Sequence, residues 1–211
     1  MTVTMRVAGL GLKKGYNLLI HNLNFELAAG EIISLTGENG VGKTTLLRTL
    51  AGFQAADDGT VAYFENGSQI ESDMAPAKLI HFLGHHDALS PSCTVGDELA
   101  FQADYLGGSV VGLEVLNLGA LMDLETRYLS AGQKRRLSLA RLVMAKRAIW
   151  LLDEPMAPLD GGHRDLLAGL MKDHVAAGGA IIAAVHDALP FETRVLRLER
   201  PTLAQREAAF G

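Results

Sequence analysis

Residues 37–44 read Gly-Glu-Asn-Gly-Val-Gly-Lys-Thr, directly after an apolar run at 32–35 and at the start of a helical stretch at 43–50. No other segment limits the fold so tightly. Gly37, Gly40 and Gly42 permit a tight turn in which successive backbone N–H groups point inward. The helix that follows presents its positive end to the same space. Such a loop receives an anion, and Lys43 and Thr44 specify it. The ammonium suits the β- and γ-phosphates of a nucleotide, and the hydroxyl suits Mg²⁺. Thr45 supports the α-phosphate side, and Glu38, Asn39 and Val41 complete the loop. An ordinary strand-to-helix turn would explain the glycines but not the lysine and threonine that follow at once.

A second constellation lies downstream. Residues 149–152 form a continuous apolar run suited to a parallel strand buried on both faces, closed by Asp153, Glu154 and Pro155. Asp153 can hold Mg²⁺ through water. Glu154 is the candidate general base for an attacking water, a role worth about 10²–10⁴-fold in rate. A solvated strand end is the plainer reading, which the apolar run ahead and the proline behind disfavour. His186 ends another buried strand at 180–185, where open α/β sheets place their ligands. There an imidazole can hydrogen-bond the γ-phosphate and hold the attacking water.

Leu129-Ser-Ala-Gly-Gln133 opens a helix. Ser130 offers a hydroxyl, Gly132 permits close backbone approach, and Ala131 and Gln133 complete a second anion site at a helix terminus. Taken alone, a serine-capped structural helix would be the better reading. The loop at 37–44 already serves this chain's own phosphates. The second site therefore fits ATP bound to another copy, in a two-fold, self-complementary pair.

With 211 residues, 48% hydrophobic and 20% charged, the chain has the composition of a single globular domain. Its net charge of −5 gives no global field toward nucleic acid or anionic lipid. Cys93 alone cannot form an internal disulfide and suits a reducing compartment. No stretch approaches the roughly 20 apolar residues that cross a bilayer, and the first ten carry no secretion signal. A cytoplasmic chain that docks on membrane proteins is expected.

The pattern predicts strands at 6–12, 18–27 and 32–35, and a strand at 60–64 closed by an Asn66-Gly67 hairpin turn. Gly52 should stop the helix begun at Lys43. Thr94 caps a predicted helix to Leu106, a short helix is expected at 113–121, and a third begins after Ser130 with Leu137, Ala140 and Val143 or Met144 inward. A further helix is predicted over 163–177. Residues of about 87–146 thus read as a helical lobe inserted into an α/β core of 1–86 and 147–211. The cluster Lys134, Arg135, Arg136, Arg141, Lys146 and Arg147 is read as a solvated face or as contacts near the nucleotide.

These motifs, in this order, resemble the ATP-binding-cassette ATPases over essentially the whole chain. Residues 37–44 resemble Walker A, 149–154 Walker B with its catalytic glutamate, and 129–133 the family signature. Ala157-Pro-Leu-Asp160 is similar to the D-loop, with Asp160 near nucleotide, and His186 to the switch histidine. The resemblance implies an α/β P-loop fold with a mixed or parallel core sheet, an N-terminal antiparallel part and a helical lobe. It also implies ATP and Mg²⁺ as ligands, and a nucleotide-sandwich homodimer whose closing and reopening drive a partner.

Chain length, the Lys134-Arg-Arg136 and Leu139-Ala-Arg-Leu142 segments after the signature, and Phe82-Leu-Gly-His85 resemble the ATP-binding subunit of bacterial haem exporters in cytochrome c maturation. That likeness implies integral-membrane permease partners, a peripheral place on the cytoplasmic face of the inner membrane, and release of a haem-loaded chaperone. No direct haem contact is expected, because neighbours such as His85 and His86 point in different directions. His86 stands where most cassettes carry glutamine, a position from which imidazole reaches Mg²⁺ or water. The adenine-stacking aromatic falls near Lys14, with Tyr16 a substitute. Phe101 and Tyr105 are candidate anchors for the membrane partner, packing within the lobe being the alternative. A subunit of another importer or exporter would carry the same motifs, and action on nucleic acid is disfavoured by charge.

Overall fold

A computed structural model describes residues 2–71, 75–110 and 113–210. Strands β1 (Val3–Lys14), β2 (Asn17–Leu27), β4 (Asp58–Glu65) and β5 (Ser68–Ile70) pair antiparallel in the order β2-β1-β4-β5. Asn66 and Gly67, both at positive φ (49° and 85°), make the tight turn between β4 and β5. The second sheet is parallel, in the order β6 (Ile80–Leu83), β7 (Ile149–Asp153), β8 (Ala180–Ala184), β3 (Ile32–Thr36), β9 (Arg194–Arg197).

Side-chain alternation explains why the central strands read as unbroken apolar runs. Ile149 and Leu151 of β7 face one hydrophobic cluster, and Trp150 and Leu152 face the other. Strand β8 divides likewise, with Ile182 on one side and Ile181 on the other. Every residue of both strands is buried, as a parallel sheet covered on both faces requires. Helix α1 (Lys43–Leu50) fills the first cluster with Leu46, Leu47 and Leu50, beneath the antiparallel sheet. Helices α3 (Val95–Leu106), α4 (Ala131–Met144) and α5 (Gly161–Ala176) cover the second face through Leu99, Leu137 and Leu167. Each such leucine contributes about 1.5–3 kcal/mol by leaving water.

Expected helix ends match their chemistry. Thr94 closes a capping box with Asp97, and Gly107 ends α3 in the left-handed conformation. Gly52, at φ 78°, follows the last turn of α1. Leu137, Ala140 and Met144 are the buried face of α4, while Val143 is only half-buried. The expected helix over 113–121 is corrected to two 3₁₀ turns, Leu113–Leu116 and Gly119–Leu121. Asn117 between them adopts φ 49°, which no α-helix continues through. Helix α5 starts at Gly161, two residues earlier than expected, because Asp160 caps it. Helices α2 (Ala75–Leu79) and α6 (Leu203–Phe210) and strands β6 and β9 were not foreshadowed by the pattern.

Between 87 and 146 the described residues hold helices, 3₁₀ turns and a single bridge, Thr94–Glu125. Their apolar side chains join Leu83, Trp150 and Leu152 in one cluster, so this segment has no separate core. The outcome for function is a convergence: β3, β7 and β8 are adjacent, and their C-terminal ends deliver residues 37–42, Asp153 and His186 to one edge.

Candidate active site

The turn after β3 needs glycine for two reasons at once. Gly37 sits at φ 143°, and a Cβ there would lie 2.7 Å from the Leu198 carbonyl oxygen. Gly42, at φ 115°, then launches α1. Lys43 is buried, its ammonium donating to the carbonyls of Gly37 (2.7 Å) and Glu38 (3.2 Å). The Val41 side chain is in the core and Glu38 pairs with Arg200, so these two can serve a ligand chiefly by backbone.

Thr44 Oγ1 donates to Asp153 Oδ2 at 2.7 Å, joining α1 to the end of β7. Two hard oxygens side by side suit Mg²⁺. Among the described residues no group of three or more His, Cys, Asp or Glu side chains could hold a metal. The Thr44 and Asp153 oxygens suit a Mg²⁺ whose remaining ligands would be water and phosphate, the usual habit of that ion.

Glu154 turns away from the strand at φ 49°. A non-glycine residue there costs of the order of 1–3 kcal/mol, which surrounding contacts must hold. Its N–H donates to the Ala184 carbonyl at 3.0 Å. The carboxylate is flanked on both oxygens: His186 Nε2 is 2.7 Å from Oε1, and His85 Nδ1 is 3.6 Å from Oε2. An open cleft of about 560 Å³ is lined by Lys14, Asn39, Gly40, Gly42, Lys43, Thr44, Thr45, His85, Asp153, Glu154 and His186, with Leu19 at its side.

Two expectations need correction. His86 is not among the cleft-lining residues; His85 is, since neighbours leave the chain in different directions. The basic cluster does not form one solvated face: Lys146 is exposed, but its arginines turn to carbonyls, one of them beside the cleft. Arg135 is 2% exposed and bonds the backbone around Glu154, while Arg136 donates to the carbonyls of Leu116 and Asn117. Arg141 reaches the Phe82 carbonyl, and burial draws its pKa below the ordinary value against the pull of Glu98 and Asp87. Periodicity along α4 does not say which basic residue turns inward, so sequence alone leaves the two alternatives undivided. Tyr16 is almost fully exposed, near Lys14 at the cleft.

Ser130, Ala131, Gly132 and Gln133 lie outside that cleft. Ser130 caps α4: its Oγ accepts from the Gln133 N–H (3.2 Å), and Gln133 Oε1 accepts from the Ser130 N–H (2.8 Å). A Cβ on Gly132 would lie 3.2 Å from the Pro158 carbonyl oxygen, so residues 157–160 run against this helix end. Asp160 caps α5 by accepting from the His163 N–H (3.0 Å) and pairs with His163 Nδ1 (2.7 Å). Those two bonds, the backbone one first, hold its carboxyl below the usual range. A wider groove of about 1160 Å³ lies beside α3, walled by Phe53, Phe82, Phe101 and Tyr105 over Glu98, Gln102 and Arg141.

The sequence profile of the family described as ABC transporter matches residues 20–157. The chain is 44% identical over 200 residues to the cytochrome c biogenesis ATP-binding export protein CcmA of Rhodopseudomonas palustris (strain HaA2), covering 92% of this chain and 98% of that protein. It is 43% identical over 189 residues to the protein of the same name from Bradyrhizobium diazoefficiens, covering 88% and 92%. Among solved structures, a putative ABC transporter ATP-binding protein from Pyrococcus furiosus superposes with TM-score 0.77 at 22% identity, covering 92% of this chain and 97% of that one. An ATP-binding cassette described as a dimer in a post-hydrolysis state with ADP and phosphate gives TM-score 0.77 at 21% identity, covering 92% and 94%.

Proposed function

The chain belongs to the ABC transporter family as one of its ATPases, and from that premise we propose that it drives a membrane complex exporting haem for cytochrome c biogenesis. The observation that carries the chemistry is the Glu154 carboxylate, held between His186 and His85 across the cleft from Lys43 and Thr44. The near-complete coverage of cytochrome c biogenesis export proteins supports the physiological assignment.

Backbone N–H groups of residues 37–45 and the Lys43 ammonium bind the triphosphate of ATP. Thr44 and Asp153 would hold Mg²⁺, which supplies charge neutralisation at the β- and γ-phosphates. Glu154 takes a proton from the attacking water while His186 orients the carboxylate and reaches the γ-phosphate. ADP and phosphate leave, and the proton passes from Glu154 to solvent. The Ser130 helix end lies outside its own chain's cleft, which suits a triphosphate held by a second copy. Asp160, two residues beyond the Pro158 carbonyl that meets that helix end, would serve the same interface.

Integral-membrane partners dock on the groove beside α3, with Phe101 (65% exposed) and Tyr105 (79%) stacked as anchors. Among the described residues no helix is long and apolar enough to cross a membrane, consistent with peripheral attachment at the cytoplasmic face of the inner membrane. Haem itself passes through the partners and not through this subunit.

Glu154→Gln tests the assignment in a strain lacking its own copy. The variant should bind ATP, hydrolyse it about 10²–10⁴-fold more slowly, and leave cells without covalently haem-loaded cytochromes c. Normal hydrolysis would remove Glu154 as the base. Normal cytochromes with hydrolysis abolished would remove the export assignment.

A further inference from the structure

Among the described residues Arg135 is the largest fully buried side chain, and none of the chemistry above uses it. All five guanidinium N–H groups find acceptors on the catalytic edge. Nη2 donates to the carbonyls of Asp153 (2.8 Å) and Glu154 (3.0 Å), and Nε to that of Pro155 (3.4 Å). On its other side Nη1 donates to the Gly84 carbonyl (2.8 Å) and to Asp87 Oδ1 (3.2 Å).

Those acceptors belong to the two backbone segments that bring groups to the base. Residues 153–155 carry Glu154 itself through its left-handed turn, and 84–87 carry His85, whose ring approaches Glu154 Oε2. Burying a guanidinium is costly unless its donors are met. Here burial draws its pKa down, and Asp87 first, then Asp153 and Glu154, draw it back up. The planar fork meets five acceptors, which the three donors of a lysine cannot reproduce.

We propose that Arg135 is the positioning residue for hydrolysis, fixing the Glu154 carboxylate by clamping the backbone of residues 153–155 to that of residues 84–87. Arg135 is not among the residues that line the cleft and acts only through Glu154. The inference rests on Glu154 being the base. A reacting group displaced by about 1 Å can lose 10²-fold in rate while ground-state binding is kept.

The test compares Arg135→Lys, Asp87→Asn and Glu154→Gln in the full chain purified with its membrane partners, with turnover expressed per nucleotide-binding site. Arg135→Lys should lower kcat about 10–100-fold with KM for ATP held within about twofold. A merely structural role would reduce the number of binding sites and leave turnover at each intact. Asp87→Asn keeps the oxygen but removes the charge, and should lower kcat several-fold at unchanged KM. It decides the matter if the lysine variant does not fold. In single-turnover cleavage, Arg135→Lys combined with Glu154→Gln should be no slower than Glu154→Gln alone. Unaltered per-site kcat in the folded variants, or further slowing in the double variant, would overturn the proposal. Normal turnover by Glu154→Gln alone would instead strike the assignment of the base.

Discussion

Arg135 and Arg136 are neighbours on α4, yet one clamps the catalytic turn from inside the protein and the other ties down the carbonyls of Leu116 and Asn117. Buried polar groups of this kind also set how the fold responds to acid. His81, 2% exposed, donates from Nε2 to the Ala145 carbonyl at 2.7 Å. Desolvation first, and the nearby charges of Arg147, Arg141 and His174, bring its pKa from 6.5 down to about 4. The native state therefore refuses a proton that the unfolded chain accepts. Stability is intact above about pH 6.5 and falls as pH drops toward 4. By pH 4.5 the loss from this residue is about 2–3 kcal/mol. Urea unfolding at pH 7 and pH 4.5 should show a smaller drop in His81→Gln by that amount; equal drops would contradict it. That Lys43, Thr44, Asp153, Glu154 and His186 share one cleft could be read from spacing, because a phosphate site would dictate residue type. Arg135, His85 and His81 could not, because their roles depend on tertiary neighbours with no fixed spacing.

At the scale of elements, strong local chemistry was legible and weak pairing was not. The Thr94 capping box, the Asn66-Gly67 turn and the apolar runs of β7 and β8 each announce themselves through a few residues. Strand β9 has only four residues, three of them exposed, and exists because β3 pairs with it. The turn at Asn117 was hidden by a pattern of leucines that fits a helix equally well. Helix α3 presents one consequence. Its inward face contributes Val95 and Leu99 to the core, whereas Phe101 and Tyr105 stack outside it at the groove. Phe101→Ala should thus leave the unfolding midpoint within about 0.5 kcal/mol while reducing co-purification with the membrane proteins at least several-fold. Undiminished association would assign those rings to the lobe's own packing.

For the molecule as a whole, the parallel sheet gathers Glu154, the Thr44 and Asp153 oxygens and the loop at 37–42 at one edge, while the Ser130 helix end stands outside that cleft. On the proposed reading one chain carries two anion sites and fills only one of them by itself. On that reading closure of two copies around two ATP molecules would satisfy both, and cleavage would then release them. The most direct measurement is the mass in solution of the Glu154→Gln chain, with and without saturating Mg-ATP. A shift from the single-chain mass to twice that mass on adding ATP is the predicted result, and the shift should vanish when Ser130 is also replaced by Arg. A species that binds ATP stoichiometrically yet keeps the single-chain mass at every concentration would contradict the shared-site engine.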